Sequence, residues 1–179
     1  MKRFSSLVWL ASLLAFGFSL HADAQQRAVQ SPLVVTVVRG KTDSGRRTNY
    51  DTGYSSSKEY NRSVQLKITT RNMSTNAVEM RQEALFVADA MSQGSVDGIY
   101  SRSDTNMSIA ARTSTDFEVE SAPLGGSEYK SSYGYNYKSG SKFKGYIIRT
   151  FANGQLVDVQ GSQPSLQKAG WDEKAIQKM

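Results

Sequence analysis

Serine stands three residues before lysine at Ser55 and Lys58, at Ser139 and Lys142, and at Ser165 and Lys168. That spacing lets a lysine amine reach a serine nucleophile when a helix carries both. The first two copies lie in stretches rich in Gly, Ser and Tyr where no helix is expected, and Ser103-Asp104-Thr105 and Lys41-Thr42-Asp43 only echo the companion motifs such a pair needs. A second pattern is the alternation of Asp116, Glu118 and Glu120, which places three carboxylates on one side of an extended segment. Glycoside hydrolysis requires two acids on opposite sides of a cleft, and calcium requires six to eight converging oxygens. Neighbours two apart on one strand instead form a solvated row, here expected to pair with Lys142 or Lys144 on another strand.

The third pattern is aromatic. Tyr133, Tyr135 and Tyr137 alternate with Gly134 and Asn136, follow Tyr129, and are flanked by Lys130, Lys138, Lys142 and Lys144. If this stretch is extended, the three rings share a face. Tyr50, Tyr54 and Tyr60, interleaved with Arg46, Arg47 and Lys58, form a second basic aromatic segment. Tyrosine offers a rigid, amphipathic contact surface at low entropic cost, able to anchor a protein partner or, with cations nearby, to stack on sugars or bases. The bland reading is that the rings cover one another and a sheet edge. The candidate binding residues are therefore Tyr129, Tyr133, Tyr135, Tyr137, Lys130, Lys138, Tyr50, Tyr54, Tyr60, Arg46 and Arg47.

Composition excludes much other chemistry. The chain has no cysteine, and its one histidine, His21, lies in an N-terminal segment expected to be removed. Without imidazole or thiol there is no Ser-His-Asp or Cys-His pair and no zinc site of the usual kind. No catalytic residue, metal site or cofactor is assigned, and the expectation is a protein that is not an enzyme.

The N-terminal segment has the parts of a secretory signal: Lys2 and Arg3, an apolar run from Leu7 to Leu20, and Ala22-Asp23-Ala24 as a cleavage site. The run is shorter than the ~20 residues a membrane-spanning helix needs. A secreted or periplasmic product is expected. Of the 179 residues, cleavage after Ala24 removes 24 and leaves 155, enough for one domain with a useful core. Of the 22 Lys and Arg and 16 Asp and Glu, the signal takes two and one, so 20 face 15 and the net charge is +5. That surplus aids solubility and attracts anionic polymers weakly.

The elements that would position these residues are strands. Residues 25–32 read as a lead-in, Leu33 to Val38 as a β-branched strand, and Val64, Leu66 and Ile68 alternate with polar residues as a half-buried one. Between them, 40–62 reads as a long loop or exposed hairpin. Further strands are expected around Ala84–Ala88, at Ile99-Tyr100, and over Thr115–Glu120 with Phe117 and Val119 inward. Ala122 to Gly126 is expected to end that last strand. Residues 143–151 and 155–160 follow as two strands joined by Asn153-Gly154, a hairpin signal. After Pro164, the spacing of Trp171, Ala175 and Met179 with Asp172 and Glu173 early predicts a short helix that lays Trp171 on the sheet.

The expected fold is all-β, an immunoglobulin-like β-sandwich over 33–163 with a short C-terminal helix in 164–179. A membrane barrel is disfavoured because too few strands of about 10 residues are expected. From Leu33 onward the chain resembles small uncharacterised exported bacterial proteins with an immunoglobulin-like or fibronectin III-like core. The resemblance is carried by Val64-Gln65-Leu66-Lys67-Ile68-Thr69-Thr70 before Asn72, by Phe117-Glu118-Val119-Glu120, and by Lys144-Gly145-Tyr146-Ile147-Ile148-Arg149 before Asn153-Gly154. It implies the fold and supplies no catalytic residue. The function expected is an exported interaction module of the cell envelope that binds a protein partner through tyrosine-rich loops. The alternative is a binder of glycans or other anionic polymers through the same basic aromatic loops.

Overall fold

The computed structural model describes residues 31–40, 44–51, 53–92 and 98–179, and over 44–51 the course of the backbone alone. The segment read as a secretory signal and most of the expected lead-in lie outside the described residues. Among the described residues, ten strands are followed by two short helices. The strands β1 (Leu33–Arg39), β4 (Gln65–Asn72) and β7 (Ser114–Glu120) form a three-stranded antiparallel sheet in the order β1-β4-β7. The second sheet contains β2 (Ser44–Asp51), β3 (Ser55–Arg62), β8 (Leu124–Ser131), β9 (Asn136–Ala152), β5 (Val78–Ala90) and β6 (Gly98–Ile109) in that spatial order, with β10 (Gln155–Gly161) also on β9.

The two sheets pack face to face. Period-two alternation in β4 sends Leu66 and Ile68 inward beside Val35 and Val119, where they meet Ala84, Phe86 and Ile148 of the second sheet. Leu33, Val78, Met80, Ile109 and Ala152 continue this core at one end. Gln82 crosses it, donating from Nε2 to Thr70 Oγ1 and to Thr150 Oγ1, each at 3.0 Å, so a buried amide ties the sheets together.

The apolar run Ala84–Ala88 does not alternate because both faces of β5 are covered. Leu85 and Val87 point away from the first sheet and pack with Ile147 and Val159 beneath Leu166 and Ile176 of the helices. These helices are α1 (Pro164–Gly170), with Pro164 at its start, and α2 (Glu173–Lys178), whose N-cap Asp172 accepts from the Lys174 backbone N–H at 2.9 Å.

Several expectations are corrected here. Helix forms from Pro164 rather than only over 171–179, and it breaks at Trp171, which is 52% exposed. Because the helical phase restarts at Asp172, Leu166 and Ile176 reach the sheet in its place. The strand over Thr115–Glu120 ends before Ala122 as expected, but Leu124 already opens β8, with Gly125 and Gly126 inside it. Of the two readings of 40–62, a long loop or an exposed hairpin, the hairpin holds: β2 and β3 pair antiparallel, and β3 also joins β8 in the second sheet. The short strand expected at Ile99-Tyr100 is part of the 12-residue strand β6, which runs on to Ile109. The Asn153-Gly154 turn is as expected, both residues having positive φ (49° and 82°), as a two-residue hairpin of primed type requires.

Candidate binding site

The 17-residue strand β9 serves two structures. Its residues from Ser141 onward pair with β5 inside the body, while Gly140 to Asn136 pair with Gly126 to Lys130 of β8. Beyond β8 come β3 and β2, so the first part of β9 closes a four-stranded arm. The two turns of this arm meet, with the Ser132 N–H donating to the Tyr54 carbonyl at 2.8 Å. Two basic aromatic segments far apart in sequence are thereby joined in one element.

The register decides which side chains share a face. Directly opposed residues of antiparallel strands project to the same side, and successive residues to opposite sides. Lys58, Glu128 and Lys138 are aligned across β3, β8 and β9, as are Tyr60, Gly126 and Gly140. Ser57, Tyr129 and Tyr137 are aligned on the opposite side, and the backbone of β2 places Tyr50 opposite Ser57. The extended row of three rings is therefore replaced by a different arrangement. Residues 132–135 are the turn itself, so Tyr133 and Tyr135 sit at the tip, 80% and 75% exposed, while Tyr137 pairs across strands with Tyr129. Lys130 is on the side of Lys138, not on that of Tyr129. The side chains of Arg46, Arg47 and Tyr50 lie outside what the structure describes.

Where the arm meets the body, its cationic side faces a cleft of about 710 Å³. Lys58, Tyr60 and Arg62 of β3 line one wall; Arg39 of β1 and Lys142 and Phe143 of β9 belong to the body side. The Arg62 guanidinium lies 5.3 Å from the Tyr60 ring centre, and that of Arg39 lies 4.9 Å from Phe143. Tyr60 is half-buried because its ring lies on Gly126, where a Cβ would come within 2.5 Å of the phenol oxygen. Its hydroxyl donates to the Met91 sulfur at 3.5 Å. Burial, and then the Glu128 carboxylate, push that hydroxyl above the usual phenol range. Lys138 stands 3.0 Å from Glu128 and holds its carboxyl below the ordinary range. Of the predicted residues, Tyr60 and Lys138 are in this cleft and the exposed tyrosines are not. Sequence reasoning missed Arg39, Arg62 and Phe143. The period-two spacing of Lys58, Tyr60 and Arg62 was the available signal for the wall on β3.

The arm depends on a close approach at Gly140. It has φ of 91°, and a Cβ there would fall 2.4 Å from the Gly125 carbonyl oxygen on β8. Changing Gly140 to alanine is expected to cost about 1–3 kcal/mol through backbone strain and the displaced neighbour. The check is hydrogen exchange, which should quicken at the amides of β8 before those of β5; equal exchange in both proteins would show that the junction yields freely.

The other candidate constellations are placed as follows. Ser55 and Lys58 lie on β3 and Ser139 and Lys142 on β9, so residues three apart point to opposite faces and cannot form a nucleophile and base. Ser165 and Lys168 are both exposed on α1. The carboxylate row of β7 is paired along β4, not with Lys142 or Lys144, because β7 and β9 belong to different sheets. Lys67 meets Asp116 at 2.9 Å, Gln65 donates to Glu118 at 2.8 Å, and Ser63 donates to Glu120. Lys144 instead pairs with Asp89 of β5 at 2.7 Å. Among the described residues no helix is long and apolar enough to cross a membrane.

No family model and no curated protein sequence matches the chain. Solved structures give distant likenesses. A Northeast Structural Genomics Consortium target is 14% identical over 65% of this chain and 87% of its own length, at a TM-score of 0.30. β-Glucuronidase 2 of Bacteroides uniformis is 8% identical over 69% of this chain and only 15% of the enzyme, at 0.32. A protein of Akkermansia muciniphila is 13% identical over 78% of this chain and 77% of its own, at 0.27. Likenesses this weak define neither a family nor an activity.

Proposed function

We propose that the chain is an exported, non-enzymatic interaction module of the cell envelope whose body is an immunoglobulin-like or fibronectin III-like sandwich and whose arm engages a protein partner. The sandwich type is supported by strand order. Without β2, β3 and β8, the remaining seven strands divide into β1-β4-β7 and β6-β5-β9-β10, first, second and fifth against fourth, third, sixth and seventh. Export is supported by the charged start, apolar run and small-residue site of the first 24 residues.

The observation that carries the binding role is the exposure of tyrosine on the arm. Tyr54, Tyr133, Tyr135 and Tyr137 are all at least 60% exposed and gather around two adjoining turns, with Tyr129 beside them. Rings held on a paired scaffold lose little entropy on binding, the property that makes tyrosine an interface anchor. The register puts Tyr129 and Tyr137 on one side of the arm and Lys58 and Lys138 on the other, which favours the protein partner over the polymer-binding alternative for these tyrosines.

The test is affinity capture from the envelope fraction of the parent organism, comparing the native chain with a form carrying Tyr129, Tyr133, Tyr135 and Tyr137 changed to serine. A specific protein is expected on the native bait alone and at moderate salt. Once purified, it should bind the variant at least about tenfold more weakly, the loss of one anchoring ring being enough for that. Equal binding by both folded baits would mean that the tyrosines only cover the arm.

A further inference from the structure

We propose that the cleft between arm and body is a second binding site, independent of the tyrosine-bearing tip, and that it takes an acidic oligosaccharide, a sugar chain carrying carboxylate or sulfate groups. Charge is the first argument. Among the described residues, Arg39, Lys58, Arg62, Lys138 and Lys142 line the cleft against two carboxylates, Glu59 and Glu128, a local formal charge of +3. Glu128 is committed to Lys138 at 3.0 Å.

The form of the charge is the second argument. Arg39 and Arg62 rest against the rings of Phe143 and Tyr60. Stacked on Tyr60, the Arg62 guanidinium presents its in-plane N–H fork to a carboxylate or sulfate, and the ring fixes its orientation in advance. Lys58 and Arg62, four residues apart on one side of β3, stand about 13 Å apart. A row of that length suits several anionic groups in line rather than a single anion. The volume of about 710 Å³ lies in the range of sites that enclose a small organic ligand.

Ring stacking and backbone pairing distinguish acidic sugars from other polyanions. A single-stranded nucleic acid needs bare ring faces on which to stack its bases, and the two rings of this cleft already carry arginines. On the arm side of the cleft an acidic peptide adding as a strand finds no open backbone edge, because β3 and β8 are paired on both sides. Fixed cations with a hydroxyl-bearing wall, which includes Tyr60 and Ser141, suit a hydroxylated chain with regularly spaced charges.

Calorimetric titration of the full chain tests this with defined probes: a galacturonic acid tetramer, a heparin tetrasaccharide, maltotetraose as the neutral control, and a glutamate decapeptide and a short oligodeoxynucleotide as competing polyanions. At least one acidic tetrasaccharide is expected to bind, maltotetraose not to, and the other polyanions to bind at least tenfold more weakly. Lys58→Gln with Arg62→Gln should weaken the acidic sugar at least tenfold. Both side chains are exposed, so folding should be retained, as a thermal melt would show. Tyr133→Ser with Tyr135→Ser should leave the sugar's affinity unchanged. The proposal is overturned if neither acidic sugar binds, if Lys58→Gln with Arg62→Gln leaves affinity intact, or if the peptide or oligonucleotide binds as tightly as the sugar.

Discussion

Replacing Glu83 by alanine is expected to cost about 3–5 kcal/mol of stability, the loss typical when one partner of a buried ion pair is removed. Glu83 and Arg149 face each other on β5 and β9, with side chains 0% and 5% exposed, and the Arg149 Nη1 lies 2.7 Å from Glu83 Oε2. The Arg102 guanidinium of β6 pairs with the other oxygen, and the Arg149 Nη2 pairs with Glu173 at the start of α2. One carboxylate thus links three adjacent strands, and through Arg149 it holds a helix. Removing it leaves the buried Arg149 guanidinium paired with the carboxylate of the exposed Glu173 instead of a buried one.

Changing Glu83 and Arg149 together to leucine should restore most of the loss, since two apolar residues of similar bulk leave no buried charge unpaired. Urea unfolding of the two single variants and the double variant measures this. A cost below about 1 kcal/mol for Glu83→Ala, the range of exposed pairs, would mean that water reaches the network.

The second large effect is expected at Phe86. Its ring is fully buried between the sheets and packs against Tyr100 with centroids 6.4 Å apart. Phe86→Ala removes this volume from a region built by both sheets, where neither can close the gap alone, and should cost about 3–5 kcal/mol. At about 2–4 °C per kcal/mol for a chain of this size, the melting temperature should fall by roughly 6–20 °C. A fall of only a few degrees would show that the sheets collapse onto the vacancy. By contrast, Tyr133→Ser at the exposed tip should stay within about 0.5 kcal/mol of the parent. That gap lets binding variants be distinguished from folding variants.

Much of the body was legible in the sequence. Alternation in Val64, Leu66 and Ile68, and in Phe117 and Val119, identified strands and their inward faces, because period-two patterning is a property of a few consecutive residues. Asn153-Gly154 marked its hairpin for the same reason, as only certain residues accept positive φ cheaply. The arm was harder to read. Its strands have little aliphatic content and take their order from pairing between segments far apart, so 40–62 read equally as loop or exposed hairpin and Gly125-Gly126 as a strand's end. Gly126 makes sense only beneath the Tyr60 ring, a contact no local window contains.

The sequence by itself determined the chemistry on hand: no thiol, an expected leader holding the one imidazole, alternating apolar strands, and two tyrosine-rich segments with cations among them. Tertiary structure alone decided how those groups are divided. Strand register aligns Lys58 with Lys138 through Glu128, and Tyr129 with Tyr137 on the reverse side, and a shift of one residue would exchange the two. It also brought Arg39 from the first strand onto Phe143 and so made a cleft from residues that share no motif. Composition and periodicity are local, while register and sheet packing are fixed by long-range pairing, which no short stretch of chain encodes.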